Sequence, residues 1–181
     1  MKLYEYAPKK NTTRVSGLII ILISVAAALF LTPVIFQEIP FRGGFQMAGM
    51  IALIFVIYLI AGYMARNYVY ALENGSEDGI DMTVTEVTNG KRGPLTVCRI
   101  DVSNITEAHF LSLEKAEDKA KVSELTSRAK KEGRKLFNYI HDMSASPVCV
   151  IFVEECGEAL LLKISTDERF FELLKQFNTD L

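Results

Sequence analysis

Few groups in this chain are suited to chemistry: two histidines, three cysteines and a small number of carboxylate pairs. His109 and His141 each lack a second histidine or a CxxC at ligand spacing, and a metal site needs several such ligands converging. Both read as structural or solvated side chains, so no metal and no cofactor is expected. Cys98, Cys149 and Cys156 are an odd set without CxxC spacing, which points away from a disulfide framework and from a zinc site. Cys98 and Cys149 lie inside apolar strand-like runs and read as buried free thiols. Asp101 with Asp142, or Glu154 with Glu155, could be paired for general acid–base work, but strands and turns supply such pairs routinely. No GxSxG, HExxH, GxxxxGK[ST] or GxGxxG is present. The expectation is a protein that is not an enzyme.

Charge is the other source of chemistry. Lys115, Lys119, Lys121, Arg128, Lys130, Lys131, Arg134 and Lys135 fall in one stretch, interleaved with Glu114, Glu117, Asp118, Glu124 and Glu132. Such interleaving describes a solvated helix face. Only Arg128 to Lys135 carries a clear basic excess, enough for a weak contact with anionic lipid at ~1 kcal/mol per charge. Lys91 and Arg92 sit in a turn sequence without a wider basic pattern, so phosphoinositide recognition is not expected. A formal net charge of -2 argues against a general nucleic-acid binder.

Two elements decide where all these groups sit. Val15 to Phe36 and Gly43 to Ala65 are long uncharged stretches separated only by Gln37 to Arg42. Each matches the ~20 residues a helix needs to cross ~30 Å of hydrocarbon, so the expectation is an integral two-helix hairpin. The first run exceeds the ~7–15 residues of a signal-peptide core and reads as a retained helix. Lys2, Lys9, Lys10 and Arg14 precede the first span and Arg66 follows the second, against Arg42 alone in the turn. That bias predicts a plasma-membrane protein with both termini and the soluble part cytoplasmic. The spans hold no ionisable residue, which removes proton relays and ion ligands from consideration. Gly44 with Ala48, and Ala61 with Ala65, have the spacing for close helix approach, within the hairpin or between copies, so oligomeric state stays open. Tyr58, Tyr63, Tyr68 and Tyr70 read as an interfacial aromatic belt.

After Arg66 the periodicity alternates. Tyr68–Glu73, Ile80–Val87, Leu95–Ile100, Ile105–Leu111, Leu136–Met143, Val148–Glu154 and Ala159–Ile164 read as strands. Asn74-Gly75, Asp78-Gly79 and Asn89-Gly90 supply turn chemistry. Val148 to Val153 is apolar on both faces and should be a central, doubly covered strand. Leu113–Lys135 reads as a charged helical insertion. Ser165 with Glu168 has capping-box spacing before a helix whose stripe is Phe170, Leu173, Leu174 and Phe177. The domain division that follows is 1–14 as an N-terminal segment, 15–65 as the hairpin and 66–181 as the cytoplasmic domain.

Cys98 to Thr106 resembles the strand-to-turn passage of bacterial pleckstrin-homology-like (PH-like) domains, and Gly157 to Leu174 resembles their last strand and capping helix. With a hairpin in front, the chain resembles small bacterial membrane proteins that join two spans to such a domain. The resemblance implies an α+β membrane protein with an antiparallel PH-like barrel or sandwich, capped by the C-terminal helix. An OB-like barrel is the structural alternative. The function expected is a non-enzymatic membrane-anchored scaffold binding a protein partner through the domain. The alternative is a small accessory subunit acting through the hairpin.

Overall fold

Backbone removed from water must satisfy its own polar groups, and an uncharged run of this length does so as helix. In the computed structural model of the chain, which describes residues 1–9, 13–36, 41–64, 66–75, 79–88, 93–140, 147–179 and 181, both apolar stretches are helical. Helix α1 is Thr13–Ile35, with Pro33 in its last turn. Helix α2 is Arg42–Leu59 and continues as a π-turn over Ile60–Met64. The chain divides into two compact units, Asn11–Arg66 and a second made of Met1–Lys10 with Asn67–Leu181.

Within the hairpin, Val15 and Ile19 pack on Val56 and Leu59, with Tyr63 and Met64 beside them. The close approach is made at Gly49, where an added Cβ would lie 2.9 Å from the Phe30 ring. Ala26 and Ala52 are also buried, whereas Gly44, Ala48 and Ala61 are exposed. Only 17% and 22% of the two apolar windows are buried, and both helices are long and apolar enough to cross a membrane. Large apolar side chains on both helices, Ile20, Ile54 and Ile57 among them, are exposed.

The second unit holds two four-stranded sheets. The first has the order β1-β2-β3-β4, from Lys2–Tyr6, Arg66–Asn74, Ile80–Thr88 and Leu95–Asp101. The second has the order β5-β7-β8-β6, from Ile105–Leu111, Val148–Glu155, Glu158–Ile164 and Lys135–Asn138. The whole hairpin is therefore inserted between two paired strands, β1 and β2. Helix α3 is Ala116–Lys131 and helix α4 is Glu168–Phe177.

Several expectations are corrected. The sheets do not close into a barrel. The Asp101 carboxylate accepts from the amide and hydroxyl of Ser103 (2.8 and 2.7 Å), and the resulting 3-10 turn over Val102–Asn104 carries the chain out of the first sheet. The strands are not all antiparallel: β6 runs parallel to β8, because α3 carries the chain across the sheet, as a parallel arrangement requires. The strand expected over Leu136–Met143 is only Lys135–Asn138, and 141–143 lie outside the described residues. Tyr68 and Tyr70 are not an interfacial belt but buried core side chains of β2. Asp167, not Ser165, caps α4, accepting from the Phe170 amide at 2.9 Å. Ser165 is buried at the end of β8, its hydroxyl donating to the Pro147 carbonyl at 3.4 Å.

The core explains the layering. Tyr70, Leu72, Met82, Val84 and Ile100 of the first sheet meet Cys149, Ile151 and Val153 of the second, and Phe170 and Leu174 of α4 join them. On the other face of β7, Val148, Val150 and Phe152 lie under Leu125 and Ala129 of α3. β7 is thus central and doubly covered, as its two-sided apolar run predicts.

Candidate functional site

The first sheet turns one face to the core. Side chains alternating with its core residues point outward and line a groove of about 450 Å³. Val69 and Ala71 of β2 and Val87 of β3 form its apolar floor, with Pro94 ahead of β4. Thr85 and Thr96 add hydroxyls. Lys2 and Glu5 of β1 form a wall, their ion pair closing at 2.6 Å. They share this face because the register shifts between Lys2 and Tyr4, which sets Lys2 opposite Glu73 and Glu5 opposite Ala71. At the same end, Arg99 of β4 reaches Glu73 and Asp81, each at 3.7 Å. Two cations, Lys2 and Arg99, thus meet three carboxylates, Glu5, Glu73 and Asp81, around an apolar floor. That composition suits binding.

The carboxylates nominated from sequence fall in different surroundings. Glu154 and Glu155 are successive residues of a strand and diverge: Glu154 meets Arg134 at 3.3 Å. Glu155 instead lies near Asp101 and Asp81. Burial and those two negative charges raise its pKa, against a backbone hydrogen bond at Asp101 that lowers it. Asp101 is committed to the 3-10 turn. Asp142 and His141 lie outside the described residues, as do Lys91 and Arg92.

His109 contacts the Glu107 carboxylate, which also takes the Arg128 guanidinium from α3. Burial alone would raise the Glu107 pKa, but the hydrogen bonds from Arg128 and His109 outweigh it and hold it below the usual range. Arg128 and Arg134 lie over the Phe152 ring, 4.3 and 5.2 Å from its centroid, and Glu132 bonds the Arg134 Nε at 2.6 Å. The basic excess at the end of α3 is thus largely turned onto the protein itself. Cys149 is buried, Cys98 is partly buried and Cys156 is exposed. Burial, with Glu155 nearby, pushes the Cys98 thiol up to about 11, the opposite of a reactive cysteine. Among the described residues, no group of three or more His, Cys, Asp and Glu could hold a metal ion.

The wall residues Lys2 and Glu5 escape sequence reasoning. The only available signal was the alternation of Tyr4 and Tyr6, which both turn toward the core. Comparisons with protein-family models, with curated proteins and with solved structures found no match to this chain.

Proposed function

We propose that the chain is a non-enzymatic, membrane-anchored interaction module. In this reading the hairpin spans the bilayer, both termini and the domain face the cytoplasm, and the outer face of the first sheet binds a protein partner. The observation that carries the proposal is the groove: an apolar floor bordered by the Lys2–Glu5 and Arg99–Glu73 pairs, on the outward face of the first sheet. The flank of α4 is a poorer candidate, since Phe110 stacks on Phe171 there at 5.3 Å. A lipid-binding role for α3 is disfavoured by the inward engagement of Arg128 and Arg134. Lys2, Lys9, Lys10 and Arg14 on one flank and Arg66 on the other support the orientation. The fold reading is PH-like. Setting aside the excursion through α3 and β6, the remaining strands number four and three, closed by a C-terminal helix.

Photo-crosslinking groups at Val87 or Thr96 in native membranes test the binding reading. One reproducible protein adduct is expected from these positions and none from Lys119 on α3. Failure of the groove positions to yield any adduct across growth conditions would reject it. The accessory-subunit reading has its own observation, an apolar recess of about 240 Å³ bounded by Leu29, Phe41, Gly44, Phe45 and Ala48 of the hairpin. Adducts from Phe45 or Ala48 alone would favour that reading. Labelling of exposed Cys156 by a membrane-impermeant reagent in intact cells would overturn the cytoplasmic assignment.

A further inference from the structure

Strand β1 pairs with β2 although both hairpin helices lie between them in sequence, with Glu5 opposite Ala71 and Tyr6 opposite Tyr70. The strand does three things at once. Its backbone covers the edge of β2, up to the Asn74 amide donating to the Met1 carbonyl at 3.0 Å. The Tyr4 hydroxyl donates to the Asp167 carboxylate at 2.7 Å, the same carboxylate that caps α4, and the Tyr4 ring packs 6.2 Å from Phe170. Lys2 and Glu5 supply one wall of the groove.

From this arrangement we infer that β1 is a latch that closes only when the intervening segment crosses the membrane an even number of times. The inference rests on the spanning reading of the hairpin. With two crossings, β1 and β2 emerge on one side and pair. With an odd number, ~30 Å of hydrocarbon separates them, and an unpaired strand backbone cannot enter that layer to reach its partner. The β2 edge is then bare, α4 loses the Tyr4 bond to its cap, and the groove lacks a wall. Misinserted molecules would carry an incomplete domain, open to proteolysis and unable to present the binding face. The domain's fold thereby reads out the topology of the anchor.

Parity gives the test, on the full chain in membranes. One variant carries an added Leu/Ala span of ~20 residues between Pro8 and Lys9, and a second carries two such spans. Leu3→Cys, at an exposed position, and native Cys156 report the two sides through an impermeant thiol reagent. Protease is added on the side where Cys156 labels. With one added span, the two cysteines should label from opposite sides and the half-life of residues 67–181 should fall about tenfold or more. With two, both should label from one side and resistance should return. Opposite-side labelling with undiminished resistance overturns the latch alone. Opposite-side labelling in the parent protein overturns the spanning reading and the latch with it.

Discussion

The two sheets are built from similar strands but treated differently by the rest of the chain. The second is covered twice, by the first sheet and α4 on one face and by α3 on the other. The first turns one face to that shared core, and its outer face carries the groove. The contrast is written in β7 against β2. Val148 to Val153 is buried at every position, whereas in β2 the groove residues Val69 and Glu73 are only half-buried, on either side of buried Tyr70, Ala71 and Leu72. The proposed binding role rests on that groove and its apolar floor.

The sharpest way to break this comparison is to cut one side chain from each sheet. Phe152→Ala removes a ring enclosed between α3 and β7 and should cost about 3–5 kcal/mol in urea unfolding. Val87→Ala on the open face should cost no more than about 0.5 kcal/mol. Equal costs would mean that the outer face of the first sheet is covered after all. Next in size is Asp167→Ala, which removes the α4 cap and the Tyr4 bond together and should cost about 1–2 kcal/mol. Tyr4→Phe should reproduce only part of that loss.

Glu107→Gln should cost about 1 kcal/mol at neutral pH by loosening α3 from the covered face. Its lowered pKa fixes the sign of the pH effect. The contribution is fully present above the ordinary carboxylate value of 4.5 and is lost as pH falls through the lower folded-state value. The substitution should therefore matter progressively less in acid. Glu155 runs the other way, since its pKa is raised and its ionisation opposes folding. Glu155→Gln should stabilise the protein at neutral pH and lose that advantage as pH drops through the raised value toward 4.5. Thermal midpoints across pH separate the two. A gain of about 0.5–1 kcal/mol is expected from Cys156→Gly, because Cys156 and Gly157 form a two-residue hairpin turn with φ of 51° and 78°.

These elements also differ in how readily the sequence betrays them. The hairpin and β7 were legible because length and two-sided apolarity are properties of a single segment. β1 was not, because five residues read as a strand only beside a partner that lies beyond two helices. The cap of α4 is ambiguous in the sequence because Ser165 and Asp167 are both good cap residues; the burial of Ser165 at the end of β8 decides between them. The direction of β6 was hidden, since a period of two is the same for parallel and antiparallel pairing. The groove draws its lining from four strands, each giving one to three residues, so no local pattern announces it.

The bond between Tyr4 and Asp167 joins residues 163 positions apart, linking the first strand to the last helix. Contacts of such separation form late, because the long loop must close before the bond repays its entropy. During synthesis β1 emerges first and waits for β2, and Tyr4 waits for nearly the whole chain. The rate of the final docking step, more than the stability of any one element, then sets how long a newly made molecule exposes its sheet edge to the quality-control machinery of the cell.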